Sequence, residues 1–252
     1  MNAIAAQILQ KAAATGQLAV NEMFHSLQGE GPSAGQAAVF IRLGVCNLDC
    51  GTGPGALWAC DTPYSWKWDA PGIDPIEQLT VTSVDELADF VARHKARRVV
   101  ISGGEPMIQQ HALLPLVTHL CEAGYLVEFE TNGTIAPTPE LVDVAAQFNV
   151  SPKLSTSGVR RGKRLQENAL KAFCASGKAI FKFVIADPDR DVPEVEEAVA
   201  AYDLDPVWLL PEGTDAATVI AGVKTLSEIA IPRGWSVSSR LHILLWGDER
   251  GR

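Results

Sequence analysis

The sequence predicts an α/β fold built on a parallel β-sheet, and three observations lead to this prediction. Apolar, strand-like runs alternate with amphipathic, helix-like runs along the chain, and repeated β-then-α units form parallel sheets with right-handed crossovers. Polar turns that contain Gly or Pro follow several of the strand-like runs. Ligands of such folds bind at the carboxyl ends of the strands, so we expect a functional site at that edge of the sheet.

The elements of the first half follow in order. Met1–Gln17 has the apolar spacing of a helix, but it lacks the basic start and the continuous apolar centre of a signal peptide. Ser83–Glu86 has the pattern of a capping box, which predicts that a helix starts there. The other predicted elements of this half are strands at Ala38–Leu43, Arg97–Ser102 and Leu126–Glu130 and a helix over Met107–Glu122.

The second half continues the alternation. Thr138 and Pro139 suit the N-cap and the first position of a helix over Glu140–Gln147. The remaining predicted strands are Phe148–Ser151, Ala179–Ile185 and Val207–Leu210, and the remaining predicted helices are Arg164–Ala175, Val192–Tyr202 and Thr214–Ile229. Leu241–Trp246 closes the pattern. Gly51–Pro75 is rich in Gly, Pro and Trp and has no clear period, which indicates a long functional loop.

Composition narrows the class of protein. A chain of 252 residues with 47% hydrophobic residues can form one large domain or two small ones. Its apolar runs are shorter than the roughly 18 residues that a membrane-spanning helix needs. The net charge of −9 argues against a broad nucleic-acid-binding face. These features favour a cytoplasmic enzyme without a nucleic-acid or membrane partner.

The cysteine pattern is the most specific feature of the chain. Cys46, Cys50 and Cys60 place three of the five cysteines on one loop directly after the strand-like run Ala38–Leu43. Three thiolates can hold an iron–sulfur cluster and leave one iron open to a small molecule. The loop could instead bind zinc, although structural zinc usually has four ligands and only the more distant His25 could complete the set. A disulfide, which would leave one cysteine over, and inert thiols also stay open.

Four polar turns lie where predicted strands end. They are Ser102–Pro106, Glu130–Thr134, Ser151–Lys153 and Pro211–Gly213. Each turn alone is typical of ordinary turn chemistry. A Gly-Gly pair also allows close approach of the backbone to a ligand, and a following Glu can accept a hydrogen bond from an ammonium group. Four such turns together with the cysteine loop favour one shared site over coincidence.

In combination, these motifs resemble a known family. The cysteine loop followed by Gly103-Gly104-Glu105-Pro106 resembles the radical S-adenosylmethionine (SAM) superfamily. More narrowly, motifs from about Asn21 to the C-terminus resemble the 7-carboxy-7-deazaguanine synthase family. These motifs are His25–Gly31, Phe40–Leu48, Cys60-Asp61-Thr62, Glu130–Thr134, Ser151-Pro152-Lys153, Arg240-Leu241-His242 and Leu245-Trp246-Gly247.

The resemblance implies an incomplete, TIM-like α/β barrel of the radical SAM type and a carbon–nitrogen lyase. The reaction would convert 6-carboxy-5,6,7,8-tetrahydropterin to 7-carboxy-7-deazaguanine with loss of ammonia, on the route to 7-deazapurines such as queuosine. A reduced [4Fe–4S] cluster would cleave SAM, the resulting radical would abstract the C6 hydrogen of the substrate, and Mg²⁺ would assist. The resemblance further implies a homodimer and a reducing electron donor such as flavodoxin.

The resemblance also implies roles for individual residues. The cluster would be bound by Cys46, Cys50 and Cys60, and Mg²⁺ by the Thr62 hydroxyl. SAM would be contacted by Ala59, Cys60, Asp61, Gly104, Glu105, Ser151, Pro152, Lys153, Pro211 and Glu212. The substrate would be contacted by Leu27, Gln28, Gly29, Glu30, Arg42, Ser102, Glu130 and His242.

The chemistry of these side chains agrees with such roles. Gln and Glu can pair with the amide and amino edge of a pterin, and its carboxylate suits Arg42 and a divalent ion. Arg42 could instead pair with a structural carboxylate, and His242 could be a surface or packing residue. Cys121 and Cys174 lie in helix-like runs and are expected to be buried structural thiols.

The chain departs from the superfamily pattern Cys-x3-Cys-x2-Cys, because nine residues separate Cys50 from Cys60. We interpret 51–57 as an insertion in the cluster loop of a single domain, 21–252, which follows an N-terminal helical extension, 1–20. Loops accommodate such insertions at a modest entropic cost. Two further functions stay open: another small radical SAM enzyme such as a glycyl-radical activase, and a non-catalytic, zinc-stabilised binding protein.

Overall fold

Residues 2–252 form an α/β structure with a single nine-stranded sheet. The computed structural model of the protein describes residues 2–252. The strands are β1 Leu18–Leu27, β2 Ala37–Leu43, β3 Thr80–Thr82, β4 Arg98–Gly103, β5 Leu126–Thr131, β6 Gln147–Val150, β7 Ala179–Ile185, β8 Val207–Pro211 and β9 Ser236–Val237. Their order across the sheet is β3-β1-β2-β4-β5-β6-β7-β8-β9.

The sheet is mostly, but not wholly, parallel. Each pair of neighbours from β2 to β9 is parallel, whereas β1 is antiparallel to both β2 and β3. The parallel arrangement expected from the sequence is confirmed for the strands that were predicted, and the two antiparallel pairs involve β1 and β3, which were not predicted. The loop 28–36 between β1 and β2 is shorter than the dozen or so residues that a parallel crossover needs, so β2 returns antiparallel to β1.

The helices are α1 Ala3–Ala14, α2 Pro75–Gln78, α3 Val84–Ala92, α4 Gln110–Glu122, α5 Pro139–Val144, α6 Arg161–Arg164, α7 Glu167–Ser176, α8 Pro188–Tyr202, α9 Ala216–Ala230 and α10 Leu241–Trp246. Each parallel strand lies beside the preceding one, so right-handed crossovers bring their helices to the same face of the sheet. Among residues 2–252, no helix is both long and apolar enough to span a membrane.

Several predicted boundaries shift for local reasons. The run that starts at Met107 begins as a 3₁₀ turn over Pro106–Gln109, and regular helix follows from Gln110. The predicted helix Arg164–Ala175 is two helices, because Leu165 and Gln166 have extended backbone angles between α6 and α7. The helix α5 ends at Val144, since Gln147 joins the sheet opposite Glu128.

The elements at both ends of the chain also differ in detail from those predicted. α1 lies before the sheet, as expected for an N-terminal extension, but β1 already begins at Leu18. Leu241–Trp246, which closes the alternation in the sequence, is helical, and the last strand is β9. The capping box before α3 is confirmed: Ser83 N–H donates to Glu86 Oε2 (2.8 Å) and Glu86 N–H donates to Ser83 Oγ (3.2 Å).

The central strands have two chemically different faces. On the face covered by helices, which we call the outer face, fully buried apolar side chains form the main core. The central part of this core includes Val99, Ile101, Val127, Phe129, Phe148, Phe181 and Phe183. Residues between them point to the opposite, inner face, since side chains alternate along a strand. The inner face carries Arg42, Arg98, Ser102, Glu128, Glu130, Asn149 and Lys182.

Candidate functional site

A cavity of about 670 Å³ lies against the inner face and reaches the loops that follow the strands. Most of the residues predicted for a site line it. They are Leu27, Gln28, Gly29, Glu30, Arg42, Cys46, Cys50, Ala59, Cys60, Asp61, Thr62, Ser102, Gly104, Glu130, Ser151, Lys153, Glu212 and His242. Glu105, Pro152 and Pro211 are buried and are not among the residues that line this cavity. The fold therefore brings residues from distant parts of the sequence to one place.

The Gly103-Gly104 turn fits tightly against the start of the cysteine loop. A Cβ atom on Gly104 would lie 2.3 Å from the Val45 carbonyl oxygen, and one on Gly103 would lie equally close to the Leu43 carbonyl oxygen. Glu105 N–H donates to that Val45 oxygen (2.9 Å). The glycine pair thus allows close packing of the two loops, and this packing positions Cys46.

Glu105 organises the next turn from a fully buried position. Its carboxylate accepts hydrogen bonds from Thr131 Oγ1 (2.7 Å), Asn132 N–H (2.7 Å) and Met107 N–H (3.0 Å). Burial raises the pKa of Glu105, although these donors oppose the shift. Asn132 in turn donates to Asn47 Oδ1 (2.9 Å) in the cysteine loop. Glu105 therefore connects the turns after β4 and β5 to the loop between Cys46 and Cys50.

The three predicted ligand cysteines share one small hydrophobic cluster. Cys50 is buried with Leu48, and Cys46 and Cys60 pack against this cluster beside Trp58. Burial raises the pKa of Cys46 to about 12 and that of Cys50 to about 11. Within residues 2–252, no group of three or more His, Cys, Asp or Glu side chains is arranged to hold a single metal ion. The cysteines are therefore neighbours in a cavity wall, with no single-ion site formed by their side chains.

Two of the three sulfur atoms accept a hydrogen bond from a nearby N–H group. Trp66 Nε1 donates to Cys60 Sγ (3.3 Å), and Leu48 N–H donates to Cys46 Sγ (3.4 Å). Trp58 Nε1 is buried without a hydrogen-bond partner among the described residues. Hydrogen bonds to sulfur tune iron–sulfur clusters. The donor set therefore fits a group whose sulfur atoms carry negative charge, as a thiolate-bound cluster does.

The segment 51–57, interpreted as an insertion, packs on the loop after β6. Gly51 N–H donates to Ser157 O (2.9 Å), and Leu57 N–H donates to Thr156 O (2.8 Å). A Cβ atom on Gly53 would lie 2.1 Å from the Gly158 carbonyl oxygen. The extra residues are therefore held close to a second loop, and Cys50 and Cys60 remain in the same cavity wall.

A network of buried and partly buried charges lies at the inner face beside the cavity. Lys182 Nζ donates to Glu130 Oε2 (2.7 Å) and to Glu30 Oε2 (3.1 Å). Gln28 Nε2 donates to Glu130 Oε1 (3.0 Å) and to Glu128 Oε1 (2.7 Å). The Gln28 oxygen accepts from Gly29 N–H (2.8 Å). Both ends of the Gln28 amide are thus engaged within the protein, so Gln28 fixes the carboxylates that border the cavity.

The two carboxylates bound by Lys182 respond differently to their surroundings. Burial raises the pKa of both, but Lys182 and Arg240 outweigh burial at Glu30 and lower its pKa well below the usual value. At Glu130, burial outweighs the attraction of Lys182, and repulsion from Glu30 and Glu128 adds to it, so the pKa rises to about 7. Glu30 is consequently a fixed negative charge, whereas Glu130 can gain or lose a proton near neutral pH.

Arg42 borders another part of the cavity. Its Nε donates to Glu22 Oε1 (2.6 Å), and its Nη1 lies 3.5 Å from Ser102 Oγ. The guanidinium lies over the rings of Phe24 and Tyr64 at 5.7 and 5.9 Å from their centroids. Arg42 therefore does pair with a carboxylate of the protein, as one interpretation of the sequence holds, and it also lies on the cavity wall.

His242 packs directly on the β1–β2 loop. A Cβ atom on Gly29 would lie 2.1 Å from His242 Nδ1, so a larger residue at position 29 would displace the ring. Burial, together with the Arg240 and Lys182 charges, lowers the pKa of His242 despite the opposing Glu30 charge. A neutral imidazole at this position can accept a hydrogen bond or donate one.

Sequence reasoning missed several residues of the site. Lys182 occupies the centre of the otherwise apolar strand Ala179–Ile185, and a charge in such a run is a signal of a buried pair. Arg240 is part of the motif Arg240-Leu241-His242, but no role was predicted for it. Its guanidinium contacts Glu30 (3.3 Å) and Asp61 (2.8 Å). Glu22 and Tyr64 had no sequence signal, because their roles depend on contacts between loops.

Comparisons with known proteins agree with this arrangement. No protein-family model matches the chain. It is 38% identical over 242 residues to the 7-carboxy-7-deazaguanine synthase of Pyrobaculum aerophilum, with 95% of this chain and 99% of that protein covered. The Halobacterium salinarum protein of the same name is 33% identical over 250 residues, with 92% and 91% covered. The crystal structure of QueE from Escherichia coli superposes with a TM-score of 0.64 at 28% identity, with 92% and 97% covered.

Proposed function

The chain belongs to the 7-carboxy-7-deazaguanine synthase family, and from this premise we propose the reaction, cofactors and residue roles that follow. The enzyme converts 6-carboxy-5,6,7,8-tetrahydropterin to 7-carboxy-7-deazaguanine with release of ammonia. One observation carries the proposal: the cysteine loop and the charged inner face line the same cavity, of about 670 Å³. A cofactor and a small polar substrate could meet there. Polar and charged side chains on this wall offer a small polar substrate hydrogen-bond donors and acceptors.

The cysteine loop would hold the cofactors. A [4Fe–4S] cluster would be bound by Cys46, Cys50 and Cys60, and the donors around their sulfur atoms support this assignment. When bound, the cluster and SAM supply the radical that starts the reaction. Lys153 Nζ donates to Ser151 Oγ (2.9 Å) at the cavity wall, and its other protons are suited to the carboxylate of SAM.

The remaining SAM contacts would come from the turns at the strand ends. Direct contacts are proposed for Ala59, Asp61, Gly104 and Glu212, which line the cavity. Glu105, Pro152 and Pro211 do not line the cavity and are buried within these turns. They would act by shaping the turns. Thr62 Oγ1 would bind Mg²⁺, a hard cation that takes oxygen ligands.

The inner face would hold the substrate. Arg42 would pair with the pterin carboxylate, and Glu30, Glu130 and His242 would offer acceptors and donors to its amide and amino groups. Leu27, Gly29 and Ser102 complete this wall. Gln28 would orient Glu130 through its 3.0 Å hydrogen bond. Since the pKa of Glu130 is about 7, its carboxyl group could also exchange a proton with the bound substrate.

The wider architecture is part of the proposal. We propose that the sheet is an incomplete TIM-like barrel of the radical SAM type, formed by a single domain after an N-terminal extension. The boundary expected between residues 20 and 21 moves to before β1, because Leu18 already belongs to the sheet. The sequential order of the strands from β4 to β9 supports a barrel-like arrangement. The enzyme would act in the cytoplasm as a homodimer that receives electrons from a donor such as flavodoxin, in the biosynthesis of queuosine or another 7-deazapurine.

The test is a reconstitution experiment under anaerobic conditions. The protein is loaded with iron and sulfide and incubated with reductant, SAM, Mg²⁺ and 6-carboxytetrahydropterin, and the products are identified by mass spectrometry. We expect 7-carboxy-7-deazaguanine from the wild type, none from Cys60→Ala, and wild-type amounts from Cys121→Ala. Cys121 lies outside the cavity and is exposed, and Cys174 is only partly buried, so the expectation that both thiols are buried is wrong. Cleavage of SAM without a deazapurine product would contradict the substrate, and purification with zinc instead of iron would contradict the mechanism.

A further inference from the structure

The segment 248–252 lines the candidate cavity together with residues of the inner face. One side chain in it, Arg250, makes long-range contacts to the body of the protein. Its guanidinium lies 3.8 Å from the centroid of the Tyr64 ring. It also donates to Glu22 Oε2 (2.8 Å), Gln78 Oε1 (3.1 Å) and Asn21 Oδ1 (3.3 Å). Arg250 is therefore bound to β1, to the loop after Cys60 and to α2 at once.

Glu22 connects this contact to the proposed substrate wall. One oxygen of its carboxylate accepts from Arg42 Nε and the other from Arg250 Nε. Tyr64 lies beside both guanidinium groups, at 5.9 Å from Arg42 and 3.8 Å from Arg250. Burial raises the pKa of Glu22, but the two arginines outweigh burial and lower it, so the carboxylate is ionised at neutral pH. Arg42 and Arg250 thus share one carboxylate and one ring.

Arg250 makes more contacts than the two partners of a typical surface ion pair make with each other. An isolated exposed pair contributes little, because ordering two long side chains offsets the attraction. Arg250 instead combines a stacked ring with hydrogen bonds to three side chains that are already held by secondary structure. A planar guanidinium suits this geometry and an ammonium group does not.

We propose that Arg250 is a positioning residue: it holds the segment 248–252 as a wall of the cavity and, through Glu22, orients Arg42 toward an anionic group of the substrate. This inference rests on the proposed function for the role of Arg42. It assigns to Arg250 a contribution to substrate affinity and none to SAM binding or to the chemical step.

The test compares Arg250→Ala and Arg250→Lys with Arg233→Ala in the reconstituted enzyme. Arg233 is a matched control, because it also pairs with a glutamate (Glu196, 2.8 Å) and lies over an aromatic ring (Trp235, 5.7 Å), but outside the cavity. We expect Arg250→Ala to raise the KM for the pterin about tenfold, which corresponds to about 1.4 kcal/mol, with kcat and the Kd for SAM within about twofold. Arg250→Lys should recover only part of the affinity, and Arg233→Ala should match the wild type.

Hydrogen–deuterium exchange provides a readout that does not depend on turnover. Backbone amides of 248–252 should exchange faster in Arg250→Ala than in the wild type, and at the wild-type rate in Arg233→Ala. An unchanged KM or unchanged exchange in Arg250→Ala would overturn the inference, as would full recovery by lysine. If the wild type forms no deazapurine, the proposed function fails, whereas the exchange comparison still decides whether Arg250 holds the segment.

Discussion

The two faces of the central strands have opposite compositions although they alternate along the same residues. On β5, Val127 and Phe129 point to the helices, whereas Glu128 and Glu130 point to the inner face, where Glu130 lines the cavity. On β7, Phe181 and Phe183 surround Lys182 in the same way. Both faces are buried, yet only the outer face follows the rule that buried side chains are apolar.

The difference teaches that stability and function are assigned to different faces of one sheet. Apolar burial on the outer face favours folding through contacts that are closely packed but not directional. Buried charges on the inner face are costly unless each has a partner. Here they have partners: Arg98 Nη1 lies 2.8 Å from Glu128 Oε2, and Lys182 is bound by Glu30 and Glu130. The inner face is therefore the part of the fold that calls for a functional explanation.

The largest expected effect on stability comes from truncating a buried side chain of the outer face. Phe148 is fully buried and packs on Phe129 and Phe173, with ring centroids 5.4 Å apart in each pair. We expect Phe148→Ala to lower the free energy of unfolding by about 4 kcal/mol, because it leaves a cavity in the core. Urea unfolding would measure the change. A loss below about 1 kcal/mol would mean that the outer face is not the main source of stability.

Removing the central charge of the inner face should have a smaller and pH-dependent effect. We expect Lys182→Met to cost about 3 kcal/mol at pH 8, because two partly buried carboxylates lose the buried ammonium group that they share. At pH 5 the cost should shrink, since the carboxylates can then take up protons and become neutral. Unfolding curves at both pH values would measure this. An equal loss at both would indicate a packing defect instead of an electrostatic one.

Glu130 on the inner face should make the stability of the protein depend on pH. Its pKa in the folded protein is about 7, above the ordinary 4.5, so the folded state binds more protons than the unfolded state between these values. The contribution of Glu130 to stability is thus present below about pH 4.5 and is lost as the pH rises to about 7. We expect the wild type to lose roughly 2 kcal/mol across this window relative to Glu130→Gln. Substitution of the exposed Glu228 by Gln serves as the control, and parallel curves for all three proteins would refute the assignment.

The smallest effect should come from a helix end far from the inner face. Ser83 caps α3 through its 3.2 Å hydrogen bond from Glu86 N–H. We expect Ser83→Ala to lower the free energy of unfolding by about 1 kcal/mol, and with it the melting temperature. Activity should not change. Calorimetry and a product assay would measure the two quantities. Loss of activity without loss of stability would show that a helix on the outer face contributes to function, which would contradict the assignment of function to the inner face.

Local patterns in the sequence predicted much of the fold. The capping box at Ser83–Glu86 and the strand Ala179–Ile185 are observed where predicted, because both depend on neighbouring residues. The long strand β1 was not predicted. Its second half, Glu22–Leu27, is only partly buried and borders the cavity, so it lacks the apolar run that marks a core strand. The two-residue β9 has too little sequence to be recognised.

The sequence by itself determined the alternation of strands and helices, the family, and which residue types carry the chemistry. These depend on short motifs such as Cys46–Cys50 and the turns that follow strands. Only the tertiary structure decided how Lys182 is shared between Glu30 and Glu130, how Arg42 and Arg250 share Glu22, and how the segment 51–57 packs. The physical reason is that such contacts join residues far apart in the chain. Their energies depend on distance and burial, which no local pattern specifies.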